Sequence, residues 1–294
     1  MSGRELVPGR FSRGHKENIG IEMVFKKVLV CSHCHAAAEK DILRQCLGSE
    51  GAKNIVKMIG DSFTEDCFTL TFEYCEEGSL DQYVSKRLTM KSPLDEADCR
   101  SVVTDIASGL QFLHKIGIIH GNIQPENILV TWDSGTLYKI GGFGSAARRL
   151  TREHAGEEGT GDTCFSPPEA VLTEKSDIFS LGVIAFALLR QEFDHNKLVA
   201  YYNGRRLAKV GGEIKLPGVA DQGFGDCIKA ALRQDISRRP TAEEVYLTLN
   251  TSNWWCKWAF LGVCVVAGVA MYDLLKGEEP VSQMLSRSSK NFYF

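Results

Sequence analysis

Three short runs carry residue types able to do chemistry. Cys31-Ser-His-Cys34-His35 has the C-x-x-C spacing of a metal site and, with its last histidine, the C-x-x-C-H spacing of haem attachment. Zinc needs a closed set of four ligands, and no second C-x-x-C follows. A plain strand-to-helix loop therefore competes with a zinc site, and haem attachment would need an exported context that nothing here indicates. Gly9-Arg-Phe11-Ser-Arg-Gly14 partly matches the glycine-rich runs whose backbone N–H groups cradle phosphates. Only one glycine falls on the G-x-G-x-x-G template. Arg10 and Arg13 would attract phosphate but crowd its approach, so a solvated N-terminal arm is the competing reading. The third run, His120-Gly-Asn122-Ile-Gln124-Pro-Glu-Asn127, sets one imidazole among three amide side chains. An amide accepts a hydrogen bond but is no base near neutral pH.

The elements around these runs fall into two kinds. Ile21 to Val30 is rich in Val, Ile, Phe and Met and reads as a strand, and Ala36 to Leu47 reads as a helix. Ile55–Ile59 and Phe68–Tyr74 are apolar runs of strand length on either side of a polar turn, Asp61–Asp66. Beyond about residue 77 the pattern turns helical. Asp95 is placed to cap a long helix whose Val103, Ile106, Leu110 and Leu113 share one face. Ile128–Val130 and Leu137–Ile140 form a hairpin signal around Trp132-Asp-Ser-Gly135. Ser180–Leu189 is apolar on nearly all sides, as in a helix central to a lobe. Cys227–Leu232 and Ala242–Leu249 read as further helices.

Composition narrows the function classes. Hydrophobic residues make up 44% and charged residues 24% of 294, which argues for a folded core rather than disorder. A net charge of −3 without a basic array excludes a nucleic-acid partner from the expectations. Ten cysteines lie scattered, with Cys67, Cys99, Cys227 and Cys264 inside apolar runs. That pattern fits reduced, buried thiols better than a disulfide framework. The first 20 residues lack an apolar core, so no secretory signal is expected. The pairs Glu76-Glu77 and Glu157-Glu158 read as solvated loop charges.

Near the C-terminus, Trp258–Tyr272 runs 15 residues without a charge. As a helix it would span roughly 22 Å, short of the roughly 30 Å hydrocarbon core. Starting at Trp254 gives about 28 Å, with Lys257 snorkelling and Trp254, Trp255, Trp258 and Tyr272 at the interfaces. Residues 254–275 are therefore expected to form a transmembrane helix, against the alternative of a buried terminal helix. Cys264 and Gly268 have small-xxx-small spacing, although plain packing against lipid explains them equally. The part of the chain before this segment would face the cytosol, with a tail-anchored, single-pass topology resting on chain order, since positive charges flank both ends.

The run from His120 to Asn127, followed by Ile-Leu-Val, resembles the protein-kinase catalytic loop H-R-D-L-K-P-E-N. Its neighbours fall in the family's order. Met23-Val-Phe-Lys26 is similar to V-A-I-K, and Glu39 to the glutamate of the family's helix C. Phe72-Glu-Tyr-Cys is similar to the hinge, with Phe72 as gatekeeper. Gly142-Phe-Gly144 stands where D-F-G is expected. Phe165-Ser-Pro-Pro-Glu169 resembles Y-x-A-P-E, Asp177-Ile-Phe-Ser-Leu-Gly182 resembles D-V-W-S-L-G, and Arg239 resembles the arginine that pairs with Glu169. The resemblance covers about residues 7–250.

It implies an α+β, two-lobed protein-kinase-like fold, to which the apolar segment would add a C-terminal transmembrane helix. Its divisions would be a polar arm overlapping a degenerate glycine-rich loop (1–20), a sheet-rich lobe (21–77), a helical lobe (78–250), the membrane helix (254–275) and a short tail (276–294). It also implies lost chemistry. The catalytic base position holds Asn122, the phosphate-neutralising lysine position Gln124, and the metal-binding aspartate position Gly142. Gly121 replaces the arginine that engages a phosphorylated activation loop. Lys26, Glu39, Phe72 and Asn127 would outline a nucleotide cleft, with Lys26–Glu39 either placing phosphates or serving as a structural pair. No catalytic set is intact, no metal is expected, no cofactor is required, and ATP is a candidate ligand without Mg²⁺. The function implied is that of a membrane-anchored pseudokinase binding a protein partner, such as an active kinase or a membrane complex. The alternatives are a weakly active Ser/Thr-type kinase and a membrane-acting effector gated by the kinase-like domain.

Overall fold

The structure, a computed structural model, describes residues 5–63 apart from breaks at 10–11, 20–21 and 30–32, then 68–148, 164–198 apart from 170 and 195, 216, and 219–250. The chain divides into two units, Met1–Leu249 and Asn250–Phe294. The segment 254–275 and the tail 276–294 lie outside the described residues. Among the described residues no helix is long and apolar enough to cross a membrane.

Five strands open the first unit: β1 (Glu5–Gly9), β2 (Ser12–Ile19), β3 (Glu22–Leu29), β4 (Met58–Phe63) and β5 (Phe68–Glu73). They form one antiparallel sheet in the order β1-β2-β3-β5-β4. Helix α1 (His33–Cys46) follows β3 and covers β4 and β5. In β5, Leu70 and Phe72 are buried while Thr69, Thr71 and Glu73 are half-exposed, the period of two that a sheet with one covered face requires. The stretch expected to be a polar arm, residues 1–20, instead contains two paired strands. Its alternation is too polar to announce a strand, and cross-strand backbone bonding supplies what the side chains do not. Asp61–Phe63, expected in a turn, likewise extend β4 alongside β5.

The rest of the unit is mainly helical. A short strand β6 (Gly78–Ser79) leads into α2 (Leu80–Thr89), then α3 (Glu96–Lys115) and strand β7 (Ile118–Ile119). Asp95 caps α3 as expected: its side chain accepts from Asp98 N at 2.7 Å, and Asp98 accepts in return from Asp95 N at 3.3 Å. Val103, Ile106, Leu110 and Leu113 are buried on one face. β8 (Ile128–Trp132) and β9 (Thr136–Ile140) form the expected hairpin, and β10 (Ala147–Arg148) pairs with β7. In α4 (Glu174–Arg190), every residue from Ser176 to Leu188 is buried. Helices α5 (Gln222–Ala231) and α6 (Ala242–Asn250) complete the description. Gly182 allows α4 and α5 to pack, since a Cβ there would sit 2.9 Å from Ala231 Cβ.

Candidate functional site

The run His120–Asn127 lies between β7 and β8, and α4 holds it from below. Asp177, 1% exposed, accepts three hydrogen bonds: Oδ2 from His120 N at 3.0 Å and His114 Nε2 at 2.8 Å, and Oδ1 from Gly121 N at 2.8 Å. A carboxylate inside an otherwise apolar helix is tolerable only when its oxygens are satisfied in this way. The signal was legible as one charge amid a buried helix. His114, in the last turn of α3, carried no signal, and sequence reasoning missed it.

His120 is fully buried. Its Nε2–H donates to Gly141 O at 2.9 Å, and its Nδ1 accepts from Asn122 N at 3.3 Å. Those two bonds define one neutral tautomer. Burial pushes the His120 pKa below the ordinary histidine value, more than nearby carboxylates raise it. The ring meets Phe143 edge-on at 5.0 Å, which ties the loop to Gly142-Phe-Gly144.

Gly121 has φ +70°, and a Cβ there would lie 3.2 Å from both Leu172 Cδ1 and Ser145 O, so glycine meets both the backbone and the space requirement. Gln124 precedes the 3₁₀ turn Pro125–Asn127, and its carbonyl accepts from Asn127 N at 2.9 Å. The Asn127 side chain closes the loop on itself, with Nδ2 donating to Asn122 O at 2.9 Å. Asn127 also holds the next segment, because its carbonyl accepts from Gly141 N at 2.8 Å. Gly142 has φ +74°, and a Cβ built on it would overlap Asn127 Oδ1.

The upper wall comes from the sheet lobe. Glu39 on α1 is 3% exposed, and its Oε2 lies 3.8 Å from where a Cβ on Gly144 would sit. The structure thus brings Glu39 to the Gly142–Gly144 segment. Phe72 on β5 is buried, in register with Phe25 of β3 and Met58 of β4. Lys26 lies on β3 opposite Thr71, but the expected Lys26–Glu39 pair involves a side chain outside the described residues. Gly9 and Ser12 are partners across the β1–β2 connection, and Arg10 and Phe11 lie outside the described residues.

Farther from the loop, Arg239 is 1% exposed and grips Glu169 with two bonds, Nη1 to Oε1 at 2.7 Å and Nη2 to Oε2 at 2.9 Å. It stacks over Phe179 at 4.7 Å. The expected pairing of Glu169 with Arg239 is present. Glu76 and Glu77 lie in the turn before β6, Glu76 exposed as expected and Glu77 half-buried. Glu76 accepts from Thr131 Oγ1 at 2.6 Å, and Glu77 pairs with Lys86 at 2.5 Å, so both are tied to other elements. Glu157-Glu158 lies outside the described residues. Cys34 and His35 fall in the first turn of α1, while Cys31 lies outside the described residues; among the latter no cluster of three metal-binding side chains occurs.

The family model of the protein kinase domain matches residues 9–248. The chain belongs to the protein kinase family. Serine/threonine-protein kinase 10 of Danio rerio is 28% identical over 217 residues, covering 70% of this chain and 21% of that protein. Mitosis inhibitor protein kinase wee1 of Schizosaccharomyces pombe is 34% identical over 222 residues, covering 68% and 25%. Aurora kinase of Schizosaccharomyces pombe is 29% identical over 257 residues, covering 83% and 68%. The chain thus spans about a fifth to a quarter of the first two relatives and about two thirds of the third.

Phosphoryl transfer in protein kinases relies on Mg²⁺ held by an aspartate and an asparagine, with a second aspartate orienting the hydroxyl. In this chain the corresponding positions, Asn122, Asn127 and Gly142, carry no carboxylate. Gly142 offers no side-chain oxygen, and Asn127 spends its Nδ2 on Asn122 O while its Oδ1 lies against Gly142. Magnesium requires hard oxygen ligands in near-octahedral array, usually including one or two carboxylates. Neither Asn127 nor Gly142 brings a carboxylate to such an array.

Proposed function

We propose that this protein kinase-family chain is a pseudokinase, a regulatory or scaffold binding protein without efficient phosphoryl transfer, anchored to a membrane by residues 254–275. One observation carries the reading: the Asn127 amide lies against Gly142 where the kinase reaction needs a metal-bearing carboxylate. Asn122 adds the loss of a general base, typically worth 10²–10⁴-fold. Gln124 removes a phosphate-neutralising charge. The cleft outlined by Lys26, Glu39, Phe72 and Asn127 then serves ATP without Mg²⁺, or a protein partner such as an active kinase or a membrane complex.

A second reading, a weakly active Ser/Thr-type kinase, is favoured by the intact frame of the loop: His120 and Gly121 are hung on Asp177, and Glu169 is locked to Arg239. The relatives named above are themselves named as kinases. Two assays separate the readings. A thermal-shift titration with ATP should give the same stabilisation with and without Mg²⁺, and a sizeable Mg²⁺-dependent gain overturns the pseudokinase reading. Phosphotransfer by wild type that disappears in Lys26→Met promotes the second reading to first. Carbonate extraction of the full chain against residues 1–252 tests the anchor, and equal solubility overturns it.

A further inference from the structure

A cavity of about 420 Å³ opens between the end of α1, the 48–57 segment, Glu73 at the end of β5 and the β8–β9 hairpin. That volume falls within the roughly 300–1,000 Å³ range of small-molecule sites. Its floor is apolar and drawn from distant parts of the chain: Leu43, Cys46, Ile55, Val56 and Leu137, each no more than 6% exposed. The Cys46 thiol donates to Ile42 O at 3.4 Å, and burial pushes its pKa up to about 11, so it stays neutral.

Three lysines ring this floor, and they differ. Lys53 pairs with Asp133 at 3.2 Å. Lys139 is committed to both oxygens of Glu73, at 2.6 and 2.8 Å. Lys57 lines the cavity and is exposed, and among the described residues no ion pair engages its ammonium. Its backbone N–H is already used by Glu73 Oε1 at 2.8 Å. Among the described residues the rim therefore holds two compensated cations and one uncompensated one. Trp132 stands beside them, 58% exposed, with its Nε1–H turned to Glu77 Oε1 at 3.5 Å.

We propose that this cavity binds a small amphipathic monoanion, an aromatic or aliphatic carboxylate whose apolar body fills the floor and whose carboxylate meets Lys57. An apolar floor alone would accept any oily molecule. The single unpaired ammonium at the rim selects one negative charge. A neutral ligand forgoes that contact, and a cation would be repelled by it. The site adjoins the end of the helix that carries Glu39, yet the proposal is independent of whether the kinase cleft transfers phosphate.

The test is isothermal titration of the full chain with biphenyl-4-carboxylate and, as its neutral counterpart, biphenyl-4-methanol. Saturable 1:1 binding of the carboxylate is expected. Lys57→Met should weaken the carboxylate about 5- to 10-fold, the scale of one charge-assisted contact at an exposed rim, and leave the alcohol unchanged. Ala52→Trp, at a half-exposed lining position, should abolish binding of both while the urea midpoint stays near wild type. Failure of the carboxylate to saturate overturns the proposal. So does equal carboxylate affinity in wild type and Lys57→Met, or wild-type affinity in a folded Ala52→Trp chain.

Discussion

Asn127 and Gly142 occupy one another's space: the asparagine carboxamide lies where a side chain on residue 142 would begin, and Gly142 holds a left-handed φ of +74° that suits only glycine well. Both features oppose a side chain at 142, so they separate by mutation. Gly142→Ala should cost roughly 2–3 kcal/mol in urea denaturation, combining left-handed strain of about 1–2 kcal/mol with overpacking. Gly117 has φ +75° with open space around it, so Gly117→Ala should show the strain alone. Adding Asn127→Ala to Gly142→Ala should recover the packing share; a double variant no more stable than Gly142→Ala would refute the contact.

Asp177 supports the loop through three donors, and its amide isostere cannot accept all three. Asp177→Asn turns one oxygen into a donor facing either Gly121 N–H or the His120 N–H and His114 pair. A loss of roughly 2–4 kcal/mol is expected, the cost of a buried charge-assisted network left unsatisfied. An unchanged urea midpoint would show that water replaces the bonds.

Glu169 should leave a pH signature. Burial alone would raise its pKa, but hydrogen bonds from Arg239 and Ser176 outweigh burial and hold it below the usual glutamate value. A depressed folded pKa gives stability that is complete above the unfolded value of 4.5 and is lost as pH falls through the folded one. Wild type minus Glu169→Gln stability, measured from pH 7 to pH 3, should therefore be flat above about pH 5.5 and shrink below it. A difference that grows on acidification would contradict the pairing. Arg239→Met, which leaves Glu169 unpaired, should cost about 3–5 kcal/mol at pH 7.

His120 should remain a single neutral tautomer with its proton on Nε2. Its burial lowers the pKa, so charging is resisted as pH falls past the ordinary histidine value of 6.5. The stability it contributes is present above pH 6.5 and lost progressively below. Long-range ¹⁵N–¹H spectra should show an Nε2–H pattern unchanged from pH 8 to pH 6. Titration near 6.5, or an Nδ1–H signal, would show that the bond to Gly141 O is absent.

Much of this protein was legible in one dimension. The α3 face from Val103 to Leu113, the cap at Asp95, the β8–β9 hairpin and the all-round apolar α4 follow from periodicity and local hydrogen bonding, which depend on neighbours a few residues away. The identities of Asn122, Gln124 and Gly142 were equally readable, because an amide or a bare glycine lacks a carboxylate or an ammonium in any fold. The strands in residues 5–19 were not readable, since their pairing is backbone to backbone and their polar side chains carry no period. Among the described residues Cys46, Cys75, Cys99 and Cys164 are buried and Cys227 is half-buried, while Cys67 and Cys264 lie outside them.

The sequence by itself determined which chemical groups this kinase-family chain possesses and in what order. Only the tertiary structure decided which of them meet. It set His114 and His120, from two different elements, on one carboxylate of α4; it laid Asn127 against Gly142; and, among the described residues, it left Lys57 without an ion pair beside a cavity where Lys53 and Lys139 have one. Composition and spacing fix charge and period, but a hydrogen bond or a cavity depends on distances of a few ångströms between residues tens of positions apart, and those distances exist only after the core has packed.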